Sequence, residues 1–325
     1  MKKNIARWAA LAACLSFSSA LWASDYPAKD MSWVVPLAPG GPADTLSRSI
    51  ANKMGQQLGK SIVIENVAGA GGTIGAGKAV NNPADGYHFL MGHMGFMGAA
   101  PSLYKQLSYD PVKDFKAVIR FPDTPAVLLV PQNPKFQTLQ ELVDYAKGHP
   151  GEVNFGTAGV GSASHLIAAL FASAANIEVQ MIPYKGNAPA MADLMGGRLD
   201  ALFDQSNTAL GHVRGGKVKA LGVATLEPMK QFPNVPVVAS IIPGFEAATW
   251  YGLYAPRNTS DEQIEVLHKA YLKVMGDADF TQSLSDQGVQ LLSGDKYGPA
   301  SFQKLTADEI QRWAKVIENA GIPRQ

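Results

Sequence analysis

Residues 37–44, Leu37-Ala38-Pro39-Gly40-Gly41-Pro42-Ala43-Asp44, carry the strongest local signal in the chain, an apolar run ending in two glycines before a helix-like stretch that begins at proline. Glycine lets backbone N–H groups approach a bound group closely, and the first N–H groups of a helix are unpaired and partly positive. A carboxylate or phosphate suits such a place. An ordinary tight turn, with Asp44 bonded to the helix start, explains the same residues. A second turn of this kind runs from Gly156 to His165, where the hydroxyls of Thr157 and Ser162 join the backbone donors around Gly161 and Ala163, ahead of an apolar face of Leu166, Leu170 and Phe171. Two such turns, one in each of the two lobes expected below, could hold one anion from both sides.

Other chemistries fit less well. The glycine run Gly69 to Gly77 suggests a dinucleotide turn, but position 74 is Ile and no strand-ending acid follows at the expected distance, so a helix-entry turn near a cleft is the better reading. Ser162 and His165 could serve a hydrolase as nucleophile and base. However, Val160-Gly161-Ser162-Ala163-Ser164 lacks the second glycine of a nucleophile elbow. The six histidines, His88, His93, His149, His165, His212 and His268, show no ligand-pair spacing, so no metal is expected, and no cofactor. Asp204 ends the run Ala201-Leu202-Phe203-Asp204, either facing a cleft or capping the stretch after Ser206; Lys185 and Gly186 admit the same two readings.

These residues need elements to position them. Nine short runs read as strands: 32–37, 62–65, 87–91, 126–130, 153–155, 179–183, 201–203, 218–224 and 250–255. Helix-like stretches alternate with them, which predicts an α/β architecture. One opens at Pro42 with Leu46, Ile50, Met54 and Leu58 on a single face, and Thr138 with Glu141 and Ser260 with Gln263 have capping-box spacing. The amphipathic stretch 302–317 contains Trp313 and stops before Gly321 and Pro323. About 300 residues exceed one comfortable core, so two lobes are expected. Proline-marked crossings at 121–125 and 243–250 would make the first lobe discontinuous, 24–123 with 248–325, around a second lobe of 124–247. A double crossing is a hinge, and a hinged cleft suits ligand capture.

Residues 1–23 read as a cleaved leader: Lys2, Lys3 and Arg7 precede an uncharged run from Trp8 to Ala23, with small residues at the expected cleavage point. Leu11-Ala12-Ala13-Cys14 resembles a lipoprotein box, but Cys14 comes too early in the apolar run, so an anchor is the lesser reading. Cys14 is the only cysteine, and the mature chain has no thiol chemistry. Cleavage removes three basic residues and no acid, leaving 25 basic against 27 acidic residues, a net of −2. No basic run offers a footprint for nucleic acid or for a membrane surface.

Taken in order, these motifs resemble the periplasmic receptors of the tripartite tricarboxylate transporters, the TctC or Bug family. The resemblance rests on Val34-Val35-Pro36 running into Pro39 to Asp44, Glu65-Asn66, Pro83-Ala84-Asp85-Gly86-Tyr87 and Gly159 to Ser162 with His165-Leu166. It continues through Pro183-Tyr184-Lys185-Gly186, Asp193-Leu194 with Gly196-Gly197, and Phe203-Asp204. It implies a two-lobed periplasmic-binding-protein fold of type II, a Venus flytrap, that binds an organic carboxylate without catalysis. It also implies delivery to a large and a small membrane permease subunit. The family's carboxylate-holding turns map onto Pro39 to Asp44 and Thr157 to Ser162, and its discriminating acid onto Asp204. The chain is expected to be a periplasmic monomer; a sensor-kinase receptor and a Ser162/His165 hydrolase are the alternatives. One departure concerns the ligand. Where the family commonly has an aromatic residue before the turn, this chain has Leu37-Ala38, and His93, Met94 and Phe96 follow the strand at 87–91. A wider pocket for an aromatic acid, such as a benzene dicarboxylate, is one reading; Met94 and Phe96 as plain core is the other.

Overall fold

The computed structural model describes residues 26–319, 322 and 324. The leader, its cleavage point, Cys14, and the helix stop at Gly321 and Pro323 lie outside the described residues. Two α/β lobes are built on two sheets. The first sheet has the order β2 (Ile62–Asn66), β1 (Met31–Val35), β3 (His88–His93), β11 (Tyr251–Pro256), β4 (Phe115–Arg120). β1 pairs in parallel with β2 and β3, while β11 runs antiparallel to β3 and β4. The second sheet runs β10 (Ala248–Thr249), β5 (Thr124–Pro131), β8 (Ala201–Gln205), β6 (Asn154–Thr157), β7 (Gln180–Pro183), with β9 (Val218–Val223) also on β5.

The chain passes between sheets twice, at Phe121–Asp123 and at Trp250, the single residue between β10 and β11. Ala248 and Thr249 thus pair with the second sheet, a little past the division placed at 247/248 in the sequence. Hydrogen bonds from Phe121 N–H to Tyr251 O (2.8 Å) and from Ala126 N–H to Ala247 O (3.0 Å) tie the crossings together.

Each sheet is apolar on both faces because helices cover both. On β1, Trp33 and Val35 face α1 (Pro42–Leu58) and α8 (Asp261–Met275), while Val34 faces the opposite cluster. On β5, Val127 and Leu129 share a cluster with α6 (Asn187–Met195) and α7 (Ser206–Arg214). Ala126, Leu128 and Val130 point the other way, toward α4 (Leu139–Gly148) and α5 (Ala163–Ala175). This alternation is the two-residue period of a strand. The caps form as expected: Thr138 accepts from Glu141 N–H, and Ser260 with Gln263 makes a full capping box. α10 (Pro299–Asn319) lies against β4 and against a π-helical turn at Met94–Ala99.

Candidate functional site

The first turn is braced from inside. α1 starts at Pro42 with Gly41 at its cap, and no side chain caps it. The buried Asp44 carboxylate instead turns back to accept from Gly40 N–H at 2.9 Å, Arg48 Nε at 3.0 Å and the Asn66 amide at 3.0 Å. Burial pushes its pKa up, but the bonds from Arg48, Gly40 and Asn66 outweigh that effect and hold it below the usual carboxylate range. With the turn fixed this way, the N–H groups of Gly41, Ala43 and Asp44 find no acceptor among the described residues. Gly41 is buried, has an ordinary φ of −80°, and would meet only Ala38 O, at 3.5 Å, if it carried a Cβ. The chain's own geometry does not require glycine there. Pro39 and Gly40 are exposed, and Leu37 packs half-buried on the first lobe's core.

The second turn is wired by its own hydroxyls. Ser162 caps α5, its Oγ accepting from His165 N–H at 3.3 Å, and Ser164 Oγ accepts from Ala158 N–H at 2.8 Å. Thr157 Oγ1 accepts from Gly159 N–H at 3.4 Å, and His165 Nδ1 from Gly161 N–H at 3.3 Å. The N–H groups of Ala163 and Ser164 are left without an acceptor among the described residues. The His165 ring therefore faces Gly161, and Ser162 Oγ shares a bond with Ser164 Oγ, so the nucleophile–base hydrogen bond that a hydrolase needs is not made. Burial lowers the pKa of His165.

The two turns come from opposite lobes, and the lobes are shut. Tyr104 O–H reaches the carbonyls of Ala70 (3.1 Å) and Val160 (3.0 Å). Asn207 donates to Pro42 O (3.1 Å) and to Thr45 Oγ1 (3.2 Å). At three points the approach leaves no room for a side chain. A Cβ on Gly71 would lie 2.2 Å from Val160 O, one on Gly95 2.3 Å from Gly161 O, and one on Gly186 2.6 Å from Ala38 Cβ. The glycine run at 69–77 therefore supplies one of the contacts between the lobes, through Gly71, which like Gly72 has a positive φ. Gly95, Asn187, Asn207 and Tyr104 were not singled out in the sequence; the signal available for Asn187 was its place next to Gly186.

The second lobe carries a buried polar layer. Asn187 Nδ2 donates to Asp204 Oδ1 at 2.7 Å, Thr208 O–H to Asp204 Oδ2 at 2.7 Å, and Gln205 Nε2 to Thr249 Oγ1 at 3.2 Å. Burial raises the pKa of Asp204 against the lowering effect of those two bonds. Asp204 does not cap α7, whose cap position is Gln205. His93 ends β3 opposite Tyr251 and is fully buried. Met94 lies elsewhere, lining a cavity of about 280 Å³ behind the hinge with Trp250, Trp313, Arg120 and Asp123, and Phe96 packs on the His93 ring at 4.4 Å. Among the described residues no cluster of His, Cys, Asp and Glu could hold a metal, and no helix is long and apolar enough to cross a membrane.

Comparison with known proteins agrees with this architecture. The model of the tripartite tricarboxylate transporter family receptor matches residues 46–322. A UPF0065 protein in the tcbD-tcbE intergenic region of Pseudomonas sp. (strain P51) is 33% identical over 318 residues, covering 97% of this chain and 94% of that one. The structure of the periplasmic binding protein BugD superposes with a TM-score of 0.87 at 33% identity, over 92% of this chain and 100% of that one. MatC from Rhodopseudomonas palustris, solved with bound malate, gives 0.85 at 34% identity, over 90% and 100%. Since the family match spans most of its length, this chain belongs to the tripartite tricarboxylate transporter receptor family, the TctC or Bug proteins.

Proposed function

We propose that the chain is a periplasmic receptor that closes its lobes around a small organic carboxylate, does no chemistry on it, and hands it to a permease of one large and one small membrane subunit. The observation that carries this reading is the pairing of two helix starts, at Gly41–Asp44 and Ala163–Ser164. Each keeps N–H groups without acceptors among the described residues, and the two stand on lobes drawn together at Gly71, Gly95 and Gly186. Unpaired N–H groups at a helix start favour an anion. The malate bound in MatC supports a carboxylate as that anion. The reading takes residues 1–23 as an export leader, lobes divided near 123/124 and 247/248, and a monomer without cofactor. The separation of Ser162 Oγ from the His165 ring supports binding over hydrolysis.

A thermal-shift panel of organic acids tests the reading, because a ligand that binds only the folded chain raises the melting temperature by mass action. At least one acid should stabilise the protein and be recovered unchanged. Gly41→Val, which the turn itself has room for, should abolish that stabilisation with the unliganded melting temperature nearly unmoved. Turnover of the stabilising acid, or undiminished affinity in Gly41→Val, would overturn it.

A further inference from the structure

His93 is a buried donor with nothing to donate to. Its Nδ1 accepts from Gly95 N–H at 2.7 Å, so the ring proton sits on Nε2, which finds no partner among the described residues. The residue is 1% exposed. Its ring is clamped by Phe96 at 4.4 Å and by Tyr251 at 5.9 Å, so it cannot swing toward another acceptor. Leaving such a group unpaired costs its full desolvation, and native structures keep few of them. The position is at the cleft: a Cβ on Gly95 would touch both His93 Cε1 (2.5 Å) and Gly161 O of the opposite turn (2.3 Å).

The surroundings say what the donor would accept. Burial holds the pKa of His93 down to about 3, so the ring is neutral and offers no positive charge. Tyr251, its partner across the sheet, is close enough to Asp204 to feel that carboxylate's charge, and Asp204 sits among Asn187, Gln205, Thr208 and Thr249, a group with one carboxyl and no lysine or arginine. A second ionised carboxylate placed there would face Asp204 without a cation to offset it. An uncharged oxygen would satisfy Nε2 at no such cost. The layer's own unpaired atom, Asn187 Oδ1, is an acceptor and matches a hydroxyl.

We propose that His93 is a specificity-determining residue whose Nε2–H takes an uncharged acceptor oxygen, a hydroxyl, ether or carbonyl, on the carboxylate ligand held by the two turns. This rests on the receptor reading and deepens it, naming the ligand class as oxygen-substituted acids. A site built to bond an oxygen rejects the analogue lacking it, because its polar group is then left unpaired.

The test uses two pairs of acids that differ by one hydroxyl, malate with succinate and 4-hydroxybenzoate with benzoate, titrated calorimetrically into wild type, His93→Phe and His93→Asn. Wild type should prefer the oxygenated member of at least one pair tenfold or more. His93→Phe should bring that ratio to within twofold, and His93→Asn, which keeps both an acceptor for Gly95 N–H and a donor, should restore part of it. Equal affinities within both pairs in wild type, or an unchanged ratio in His93→Phe, would overturn the proposal. If the variants do not fold, the ¹⁵N resonance of His93 Nε2 in wild type decides: it should shift on saturation with any acid that raises the melting temperature, and no shift overturns the proposal. Failure of the receptor reading looks different, since then no acid stabilises wild type at all.

Discussion

Asn207 of the second lobe donates its side-chain amide to the carbonyl of Pro42, at 3.1 Å, in the first turn of the first lobe's α1. The same amide reaches Thr45 Oγ1 at 3.2 Å, so one side chain joins the lobes beside the proposed anion site. A net hydrogen bond is worth roughly 0.5–1.5 kcal/mol. Asn207→Ala should therefore weaken binding of the stabilising acid about 2- to 12-fold while leaving the unliganded melting temperature within about 2 °C. Calorimetric titration with a parallel melting curve checks this. Unchanged affinity would mean that the bond contributes equally to the free and the ligand-bound forms, so that it plays no part in closure.

Closure depends on glycine at position 71. A Cβ there would lie 2.2 Å from Val160 O, and its φ of +62° adds strain of roughly 1–2 kcal/mol for any other residue. Gly197 separates the two effects, having a φ of +70° with nothing within 4 Å of a built Cβ. Gly71→Ala and Gly197→Ala should lower stability similarly, but only Gly71→Ala should lose ligand-induced compaction in small-angle scattering and bind the acid at least tenfold more weakly. Equal ligand responses in the two variants would remove the Gly71–Val160 contact from the closing mechanism.

Much of this was legible from local signals. All nine expected strand runs form strands, because β-branched runs bounded by glycine and proline have few other solutions. β4 escaped notice because Lys116 and Arg120 interrupt it. It is an edge strand, where charged residues are tolerated; Lys116 pairs with Asp261 and Arg120 with Asp123. The two helix starts were readable as glycine turns, but their opposition was not. Gly71 against Val160 and Asn207 against Pro42 are contacts that only the closed lobes create. Sequence also could not separate Met94 from His93. The π-helical turn at 94–99 sends the first behind the hinge and leaves the second beside Gly161, a rotation that no spacing rule describes.

Ser162 should behave as a cap and not as a nucleophile. Its Oγ accepts from His165 N–H, and loss of such a cap costs about 1 kcal/mol. Ser162→Ala should lower the melting temperature by only about 1–2 °C, because the entropy of unfolding of a chain of about 300 residues is large. Wild type and variant should both leave ester and amide substrates untouched in a chromogenic assay. Hydrolysis by wild type that disappears in Ser162→Ala would establish an enzyme.

The acid sensitivity of the fold should trace in part to His93. Unfolded, its imidazole takes a proton below about 6.5; folded, burial delays this until about 3. Between those values the unfolded chain binds more protons, so the stability associated with the neutral ring is fully present above pH 6.5 and is lost as pH falls toward 3. At pH 4 the loss comes to roughly 3 kcal/mol. His165 and His268, also lowered by burial, act in the same direction, and the carboxyl of Asp44 adds its own loss below the ordinary carboxylate range. A difference curve isolates His93 from them. Urea unfolding of wild type and His93→Asn at intervals from pH 7 to pH 4 should give a gap that moves in the variant's favour by that amount as the medium is acidified. Parallel curves would show that the ring gains a proton in the folded chain, and with it a positive charge beside Gly161 where a neutral donor is required.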